Sequence, residues 1–208
     1  MGNIIDISVS ISGKMITFPG DPVPAIEPFS GIEEGKSNVS SICLGSHTGT
    51  HIDAPRHFLE NGKTVDQFPL DRLVGPAKVI DMRGRDKISA KDLKAHQINN
   101  GDRILLKTNN SELWGKDIFD SNFVFLTRDA AEYLAEVGIG LVGIDYFSVE
   151  EYKSQDCPVH TKLLKSEILI LEGLDLSRVQ EGEYFLGCLP LKLVDTDGAP
   201  ARAILMEK

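Results

Sequence analysis

Histidine and aspartate side chains cluster in one short stretch of the chain, residues 45–57. Three of the five histidines, His47, His51 and His57, lie in it, and Asp53 lies between the second and the third. Imidazole and carboxylate groups are the ligands that borderline divalent metals such as zinc prefer. A lone histidine is more often an ordinary surface residue, but four such side chains at this spacing predict a metal site.

The spacing of these residues constrains the backbone. In an extended strand alternate side chains share a face, so His51 and Asp53 would lie about 7 Å apart. His47 would lie about 13 Å from His51 in a straight strand, which is too far for the two to share a metal. We therefore predict that the chain folds back around Gly49, which has the necessary freedom, and then enters a short strand that ends at Pro55.

The elements around this stretch predict an α/β fold. Strands alternate with helices over residues 77–172, which indicates parallel strands. Ligands gather at the carboxyl ends of such strands. Asp145 and Glu172 each end an apolar strand, and His160 lies between them at the start of a predicted helix. Singly, each acid could be an ordinary loop or cap residue.

Three further segments have clear local signals. A capping box at Ser89 predicts a helix that runs through His96. Thr127 and Gly138 delimit a predicted helix over residues 128–137. Near the end of the chain, two strands are predicted around an Asp-Gly turn at Asp197.

Composition limits the class of protein. A chain of 208 residues can bury the core of one domain, and 41% hydrophobic with 25% charged residues are typical of a globular protein. The net charge of −9 argues against nucleic acid and anionic membranes as partners. No apolar run approaches the roughly 20 residues of a membrane-spanning helix, and no secretory signal is visible.

The three cysteines indicate a reducing compartment. They are an odd number, lie far apart and form no C-x-x-C pair, so we expect free thiols and a cytoplasmic location. Cys43 lies four residues before His47, where a metal-ligand role is conceivable. We expect it to be a small buried side chain instead.

The histidine stretch also resembles a family motif. It matches the pattern H-x-G-T-H-x-D-x-P-x-H of the cyclase-like metal-dependent hydrolases at every fixed position. That family includes bacterial kynurenine formamidases and isatin hydrolases, and the similarity extends from Pro19 to Ala203. The resemblance implies one domain over residues 1–208, of the swivelling β/β/α type, with mixed β-sheets and flanking helices. It also implies a homo-oligomer, a dimer or larger.

The resemblance assigns metal ligands residue by residue. It implies that His47, His51 and Asp53 hold one ion, and that Asp53, His160 and Glu172 hold a second. Two zinc ions per chain are expected. The acidic ligands also suit manganese.

Other site residues follow from the same resemblance. His57 matches the acid/base histidine of the family, and the ordinary histidine pKa of about 6.5 suits proton transfer at neutral pH. Phe18 precedes a Pro-Gly turn and matches an aromatic residue near the substrate, although a core position is equally compatible. The family often has Asp-x-Pro-Ser where this chain has Asp145-Tyr146-Phe147-Ser148, so one pocket wall is expected to differ.

These features predict a metal-dependent hydrolase of amide-type bonds. A bound metal lowers the pKa of water from about 15.7 to about 7 and so supplies a nucleophile. The best single interpretation is an arylformamidase that converts N-formyl-L-kynurenine to L-kynurenine and formate. Hydrolysis of isatin or of another lactam or lactone is the alternative within the family.

A non-catalytic metal-binding protein is the alternative outside the family. A structural zinc site usually has four protein ligands, often cysteines. Histidine and carboxylate ligands with one histidine to spare favour catalysis instead. We therefore expect a small substrate, an aromatic amide or lactam.

Overall fold

A closed β-barrel is the centre of the computed structural model, which describes residues 2–207. The strands in this part of the chain are β1 (Ile4–Asp6), β2 (Ala25–Ser30), β3 (Val39–Cys43), β4 (His51–Asp53), β5 (Val74–Asp81), β6 (Lys87–Ile88), β7 (Arg103–Lys107), β8 (Phe125–Leu126), β9 (Leu141–Ile144), β10 (Leu169–Glu172), β11 (Gly182–Pro190) and β12 (Gly198–Glu207). The α-helices are α1 (Ala90–Leu93), α2 (Arg128–Val137) and α3 (Pro158–Lys165). Short 3-10 helices are formed by Ile32–Glu34, Pro55–His57, Val65–Gln67, Leu70–Arg72 and Asn109–Gly115.

Seven strands form the barrel, in the order β12-β11-β5-β7-β9-β10-β4, and β4 pairs with β12 to close it. β1 extends the sheet outside the ring by pairing with β12. The neighbours β5, β7, β9 and β10 are parallel, whereas the pairs that involve β4, β11 and β12 are antiparallel. The predicted α/β fold with mixed sheets and flanking helices is confirmed.

The parallel strands are apolar on both faces because each face meets a core. Leu105 of β7 belongs to a buried cluster with side chains from all seven barrel strands, and this cluster fills the barrel. Its neighbours Ile104 and Leu106 belong to a second cluster, shared with α1, α2 and α3. Alternate residues therefore point into the barrel and toward the helices, as expected of a covered parallel sheet.

Strand β4 closes the barrel with the histidine motif. It pairs with β10 on one side, where His51 lies opposite Glu172. It pairs with β12 on the other side, where Asp53 lies opposite Gly198. The predicted short strand is thus confirmed, and its pairing brings three distant parts of the chain to one point.

Some predicted elements differ in extent. The capping box at Ser89 is present, but α1 ends at Leu93, so His96 lies beyond the helix. Strands β11 and β12 pair antiparallel as predicted. Their connection is the segment 191–197, however, and not a two-residue Asp-Gly turn.

No helix in the described part of the chain is long and apolar enough to cross a membrane.

A two-stranded ribbon, residues 25–43, is formed by β2, β3 and their connection. Most of its described side chains are exposed, which leaves apolar groups in solvent: Ile26 43%, Phe29 77%, Ile32 69%, Val39 45% and Ile42 62%. The expectation of a buried Cys43 is wrong, because this residue lies on the ribbon and is exposed.

Candidate metal centre

The histidine motif turns back on itself before β4. Gly49 has a φ of +66°, in the left-handed region that glycine adopts without steric cost. The reversal brings the rings of His47 and His51 to 4.9 Å between centroids. After Pro55 the chain enters a 3-10 turn, which places the ring of His57 4.0 Å from that of His47. The predicted reversal around Gly49 is confirmed.

Asp53 lies at the middle of the cluster and is fully buried. Its Oδ1 atom is 2.8 Å from Nδ1 of His47 and 3.3 Å from Nε2 of His51. Its other oxygen, Oδ2, is 3.7 Å from Nε2 of His160 on α3. One carboxylate therefore reaches toward three imidazoles, one from the loop, one from β4 and one from a helix.

Glu172 at the carboxyl end of β10 adds a second acid. Its Oε1 atom is 3.3 Å from Nε2 of His160, and Oε2 is 3.5 Å from Nε2 of His51. Oε1 also accepts a hydrogen bond from the backbone N–H of Val149 at 2.7 Å. The acid therefore has a fixed orientation between two imidazoles.

Two overlapping groups could each hold a metal ion. One comprises His47, Asp53 and His57, and the other comprises His51, Asp53 and Glu172; within each group the ligand atoms lie within 4.8 Å of one another. Asp53 belongs to both groups, as expected. The groups join His57 to His47 and His51 to Glu172, however, whereas the resemblance implied His47 with His51 and His160 with Glu172. The six residues expected from the sequence thus meet in one cluster, with His57 beside His47 and His160 beside Asp53 and Glu172.

The acids make the cluster attractive to positive charge. Burial lowers the pKa of His47, but the carboxylates of Asp53 and Asp197 outweigh burial and raise it to about 9. Burial also lowers the pKa of His51 and that of His160, but the neighbouring carboxylates outweigh burial and raise both values to about 10. The carboxylates that hold these protons also attract a divalent cation, and binding of such a cation releases the protons from the imidazoles.

Among the described residues, three buried side-chain nitrogen or oxygen atoms lack a hydrogen-bond partner: Nε of Arg72, away from the cluster, and the pair Nε2 of His51 and Oδ2 of Asp53. A buried polar atom without a partner costs about 1–3 kcal/mol. Both atoms of this pair belong to the cluster, and imidazole nitrogen with carboxylate oxygen is a suitable donor set for zinc or manganese. The residues present therefore fit a metal centre.

His57 differs from the other imidazoles of the cluster. Its side chain is 29% exposed, and Nδ1 lies 3.6 Å from Oδ2 of Asp197. Burial is the largest influence on its pKa and lowers it below the usual 6.5, so the ring is neutral at pH 7. A neutral, accessible imidazole beside the cluster can accept a proton and return it.

Asp197 belongs to the site, although the sequence predicted only a turn residue. Its Oδ2 atom lies 2.7 Å from Nε2 of His47, and this hydrogen bond lowers the pKa of Asp197 to about 2. The next residue, Gly198, has no room for a side chain. A Cβ atom there would lie 2.8 Å from the carbonyl oxygen of Ile52 and 3.0 Å from the ring of His47. The Asp-Gly pair was a visible signal, but its proximity to His47 depends on barrel closure.

Glu150 is a second residue that the sequence did not predict. It is buried, and its Oε2 atom accepts hydrogen bonds from the backbone N–H groups of Val159 at 2.8 Å and His160 at 3.1 Å. Asp145, by contrast, directly follows β9 and does not belong to the cluster. Its carboxylate accepts hydrogen bonds from the hydroxyls of Thr108 and Ser111. It therefore ties β9 to the segment after β7.

A cavity of about 490 Å³ opens above the cluster. His51, His160 and Glu172 line its buried end. Its aromatic lining consists of Phe18, Phe58, Phe147 and Tyr152. The ring of Phe58 stacks on that of His160 at 4.7 Å between centroids, so the aromatic surface extends to the cluster.

Phe18 and the altered family motif both contribute to the walls of the cavity. Phe18 lines the cavity and also packs edge-on against Phe119 at 5.4 Å and Tyr152 at 5.8 Å. Where the family often has proline, Phe147 forms part of the wall, while Tyr146 is buried behind it. The cavity can therefore accept a flat apolar ring.

Comparison with known proteins agrees with this geometry. Residues 5–151 match the model of the cyclase family, described as "Putative cyclase". A kynurenine formamidase of Bacillus cereus is 38% identical over 203 residues, which cover 97% of this chain and 96% of that protein. A solved structure described as a potential metal-dependent hydrolase with cyclase activity is 39% identical, with a TM-score of 0.89 over 100% of this chain and 99% of that one. Isatin hydrolase A of Ralstonia solanacearum shares the fold, with a TM-score of 0.86 at 23% identity over 99% and 92% of the two chains.

Proposed function

The chain belongs to the cyclase family, and from this membership we propose that it is a metal-dependent hydrolase of carbon–nitrogen bonds other than peptide bonds, with arylformamidase activity. The substrate that we propose is N-formylkynurenine, cleaved to kynurenine and formate. The observation that carries the proposal is the cluster around Asp53 at the buried end of an aromatic cavity. Relatives named kynurenine formamidase match 97% of the chain at 38% identity.

We propose two zinc ions per chain, with manganese as an accepted substitute. His47, His51 and Asp53 would hold one ion, and Asp53, His160 and Glu172 the other. Asp53 belongs to both of the ligand groups that the structure brings together, which supports its place in both proposed sites. Nε2 of His51 and Oδ2 of Asp53, which lack a hydrogen-bond partner, support a cation that these residues would help to hold.

The residues of the chain divide the work of amide cleavage. When bound, the metal would lower the pKa of water and stabilise negative charge on the substrate oxygen. His57, neutral at pH 7, accepts a proton from the attacking water and delivers it to the departing aryl nitrogen. Phe58 and Phe147 hold the aryl ring and keep bulk water away from the reacting carbonyl.

Isatin hydrolysis is the second candidate. Isatin and an aryl formamide share an aryl ring attached to an amide nitrogen, and the aromatic lining of the cavity suits both. A non-catalytic metal-binding role fits less well, because the cluster opens to a cavity and His57 remains accessible.

The test is turnover with and without metal. The protein is loaded with zinc or manganese and mixed with N-formylkynurenine, and kynurenine formation is followed by its absorbance. A sample treated with chelator is the control, and isatin is assayed in parallel. We expect metal-dependent release of kynurenine. Metal-dependent opening of isatin without kynurenine release would transfer the assignment to the second candidate, and inactivity on both would contradict the proposal.

We further propose a homo-oligomer, a dimer or larger, joined through the ribbon. A two-stranded hairpin is marginally stable alone in water, and covering its apolar side chains contributes about 25 cal/mol per Å². A second copy carries the same apolar surface, so one twofold contact would cover both ribbons.

Two broader assignments complete the proposal. We assign residues 1–208 to one cyclase-like hydrolase domain, which is supported by a single eight-stranded sheet that includes strands from both ends of the sequence. We place the enzyme in the cytoplasm, which is supported by free thiols at Cys43, Cys157 and Cys188.

A further inference from the structure

The mouth of the cavity carries charges that the proposed hydrolysis does not use. Asp21, Glu151 and Lys153 line the cavity and are exposed, whereas the metal cluster lies at its buried end. Among the described residues of the lining, Lys153 is the single lysine or arginine. This cation stands out in a protein with a net charge of −9.

The ammonium group of Lys153 is available to a ligand. It lies 5.3 Å from the centre of the Tyr152 ring, and within residues 2–207 it forms no ion pair with a carboxylate. Tyr152 in turn contacts Phe18 across the aromatic wall. The positive charge therefore lies beside the aromatic lining of the cavity, on an exposed residue.

The loop that carries Lys153 is fixed to the metal centre. Glu150, at its start, accepts hydrogen bonds from the backbone of Val159 and His160, in the first turn of α3. Lys153 itself has a φ of 59°, and Asp156 has a φ of 61°. Residues other than glycine seldom adopt this left-handed conformation, and such strain clusters at functional sites. The segment that carries Lys153 therefore begins at an acid that is hydrogen-bonded to the backbone of a predicted metal ligand.

We propose that Lys153 binds a carboxylate of the substrate, so that the cavity selects aryl formamides whose ring carries an acidic or amino-acid side chain. This inference rests on the proposed function and specifies its substrate class. With the formamide at the cluster and the ring against Phe58 and Phe147, a substituent that points outward reaches the mouth. Asp21 at the same mouth suits the ammonium group of a zwitterion. Neutral isatin carries no carboxylate for Lys153 to bind.

The test compares two substrates that differ only in this side chain. N-formylkynurenine carries the amino-acid group, and 2-formamidoacetophenone has the same ring, formamide and ketone without it. We expect Lys153→Ala to raise KM for N-formylkynurenine about three- to tenfold, and Lys153→Glu to raise it further, with kcat within about twofold. For 2-formamidoacetophenone, KM should stay within about twofold. Lys165→Ala, at an exposed lysine of α3 outside the cavity, is the matched control.

Binding of the product separates this inference from the proposed function. Calorimetry measures Kd for kynurenine and for 2-aminoacetophenone on the metal-loaded protein, without turnover. Weaker binding of kynurenine alone in Lys153→Ala supports the carboxylate site even if the wild type cleaves neither formamide, a result that would remove only the proposed function. Equal changes for both compounds, no change, or no binding of kynurenine to the wild type would overturn the role of Lys153.

Discussion

The carboxylate of Glu150 contacts His160 at two points. Its Oε2 atom accepts the backbone N–H of His160 at 3.1 Å and lies 3.3 Å from Nδ1 of the same residue. Nε2, the other ring nitrogen, is directed toward Asp53 and Glu172. A buried acid thus orients the imidazole that we assign to the second metal ion, an arrangement typical of histidine ligands.

From this contact we predict that Glu150→Gln weakens metal binding. The substitution keeps the size of the side chain but removes the charge that orients His160, and loss of such a partner typically costs about 10–100-fold in metal affinity. Competition with a zinc-binding dye measures the affinity, and a thermal melt checks folding. Glu151→Gln, at the exposed neighbour, is the control. Unchanged affinity in a folded Glu150→Gln protein would exclude the positioning role.

The sequence was most informative where ligands are close along the chain. His51 and Asp53 share a strand, so strand geometry alone predicts that they lie close together. His47 can approach His51 only if the chain turns back between them, so the reversal at Gly49 could also be predicted from local geometry. Asp197 and Glu150 were not predicted as site residues, because their contacts depend on barrel closure and on the docking of α3. A hydrogen bond between residues 150 positions apart has no local signature.

The ribbon could not be predicted as an exposed feature for a related reason. Its apolar residues resemble those of a buried strand, and the expectation of burial at Cys43 followed from the usual burial of free cysteines. Burial of such a strand depends on the surface that packs against it, and for this ribbon we propose that a second chain supplies that surface.

Metal content tests the assignment of two ions. We expect up to two zinc or manganese ions per wild-type chain, and one ion after His160→Ala, because the first site keeps its three ligands. Elemental analysis after reconstitution and desalting gives the ratio, and His96→Ala, remote from the cluster, is the control. A wild-type protein that holds no transition metal after growth in supplemented medium and reconstitution would falsify the site.

The ribbon supplies a prediction about assembly. Phe29 and Ile42 are 77% and 62% exposed, and a lysine at either position would place a charge within the proposed contact. We expect Phe29→Lys and Ile42→Lys to shift the protein to monomer at micromolar concentration, as measured by light scattering. Ile118→Lys, at a residue 74% exposed outside the ribbon, should not change the assembly. A monomeric wild type at the same concentration would rule out the homo-oligomer.

We assign His57 as a proton carrier and not as a metal ligand, and substitutions can distinguish the two roles. Loss of a ligand lowers metal content and activity together, whereas loss of a proton carrier spares the metal and slows turnover by about 10²–10⁴. We expect His57→Ala to keep near-normal metal content and lose most of its turnover, and His51→Ala to lose both. The test is stringent because the ligand atoms of His57, His47 and Asp53 lie within 4.8 Å of one another, close enough for the three residues to hold one ion.

The pH profile gives an independent reading of the same residue. Burial lowers the pKa of His57 below 6.5, so the neutral base is present at pH 7 and is lost as the pH falls through that lowered value. Wild-type kcat/KM should therefore decrease on the acidic side, and His57→Ala should lack this limb, with metal content measured at each pH. If His57→Ala is metal-free, His57 is a ligand of the first ion and the assignment of that site is wrong.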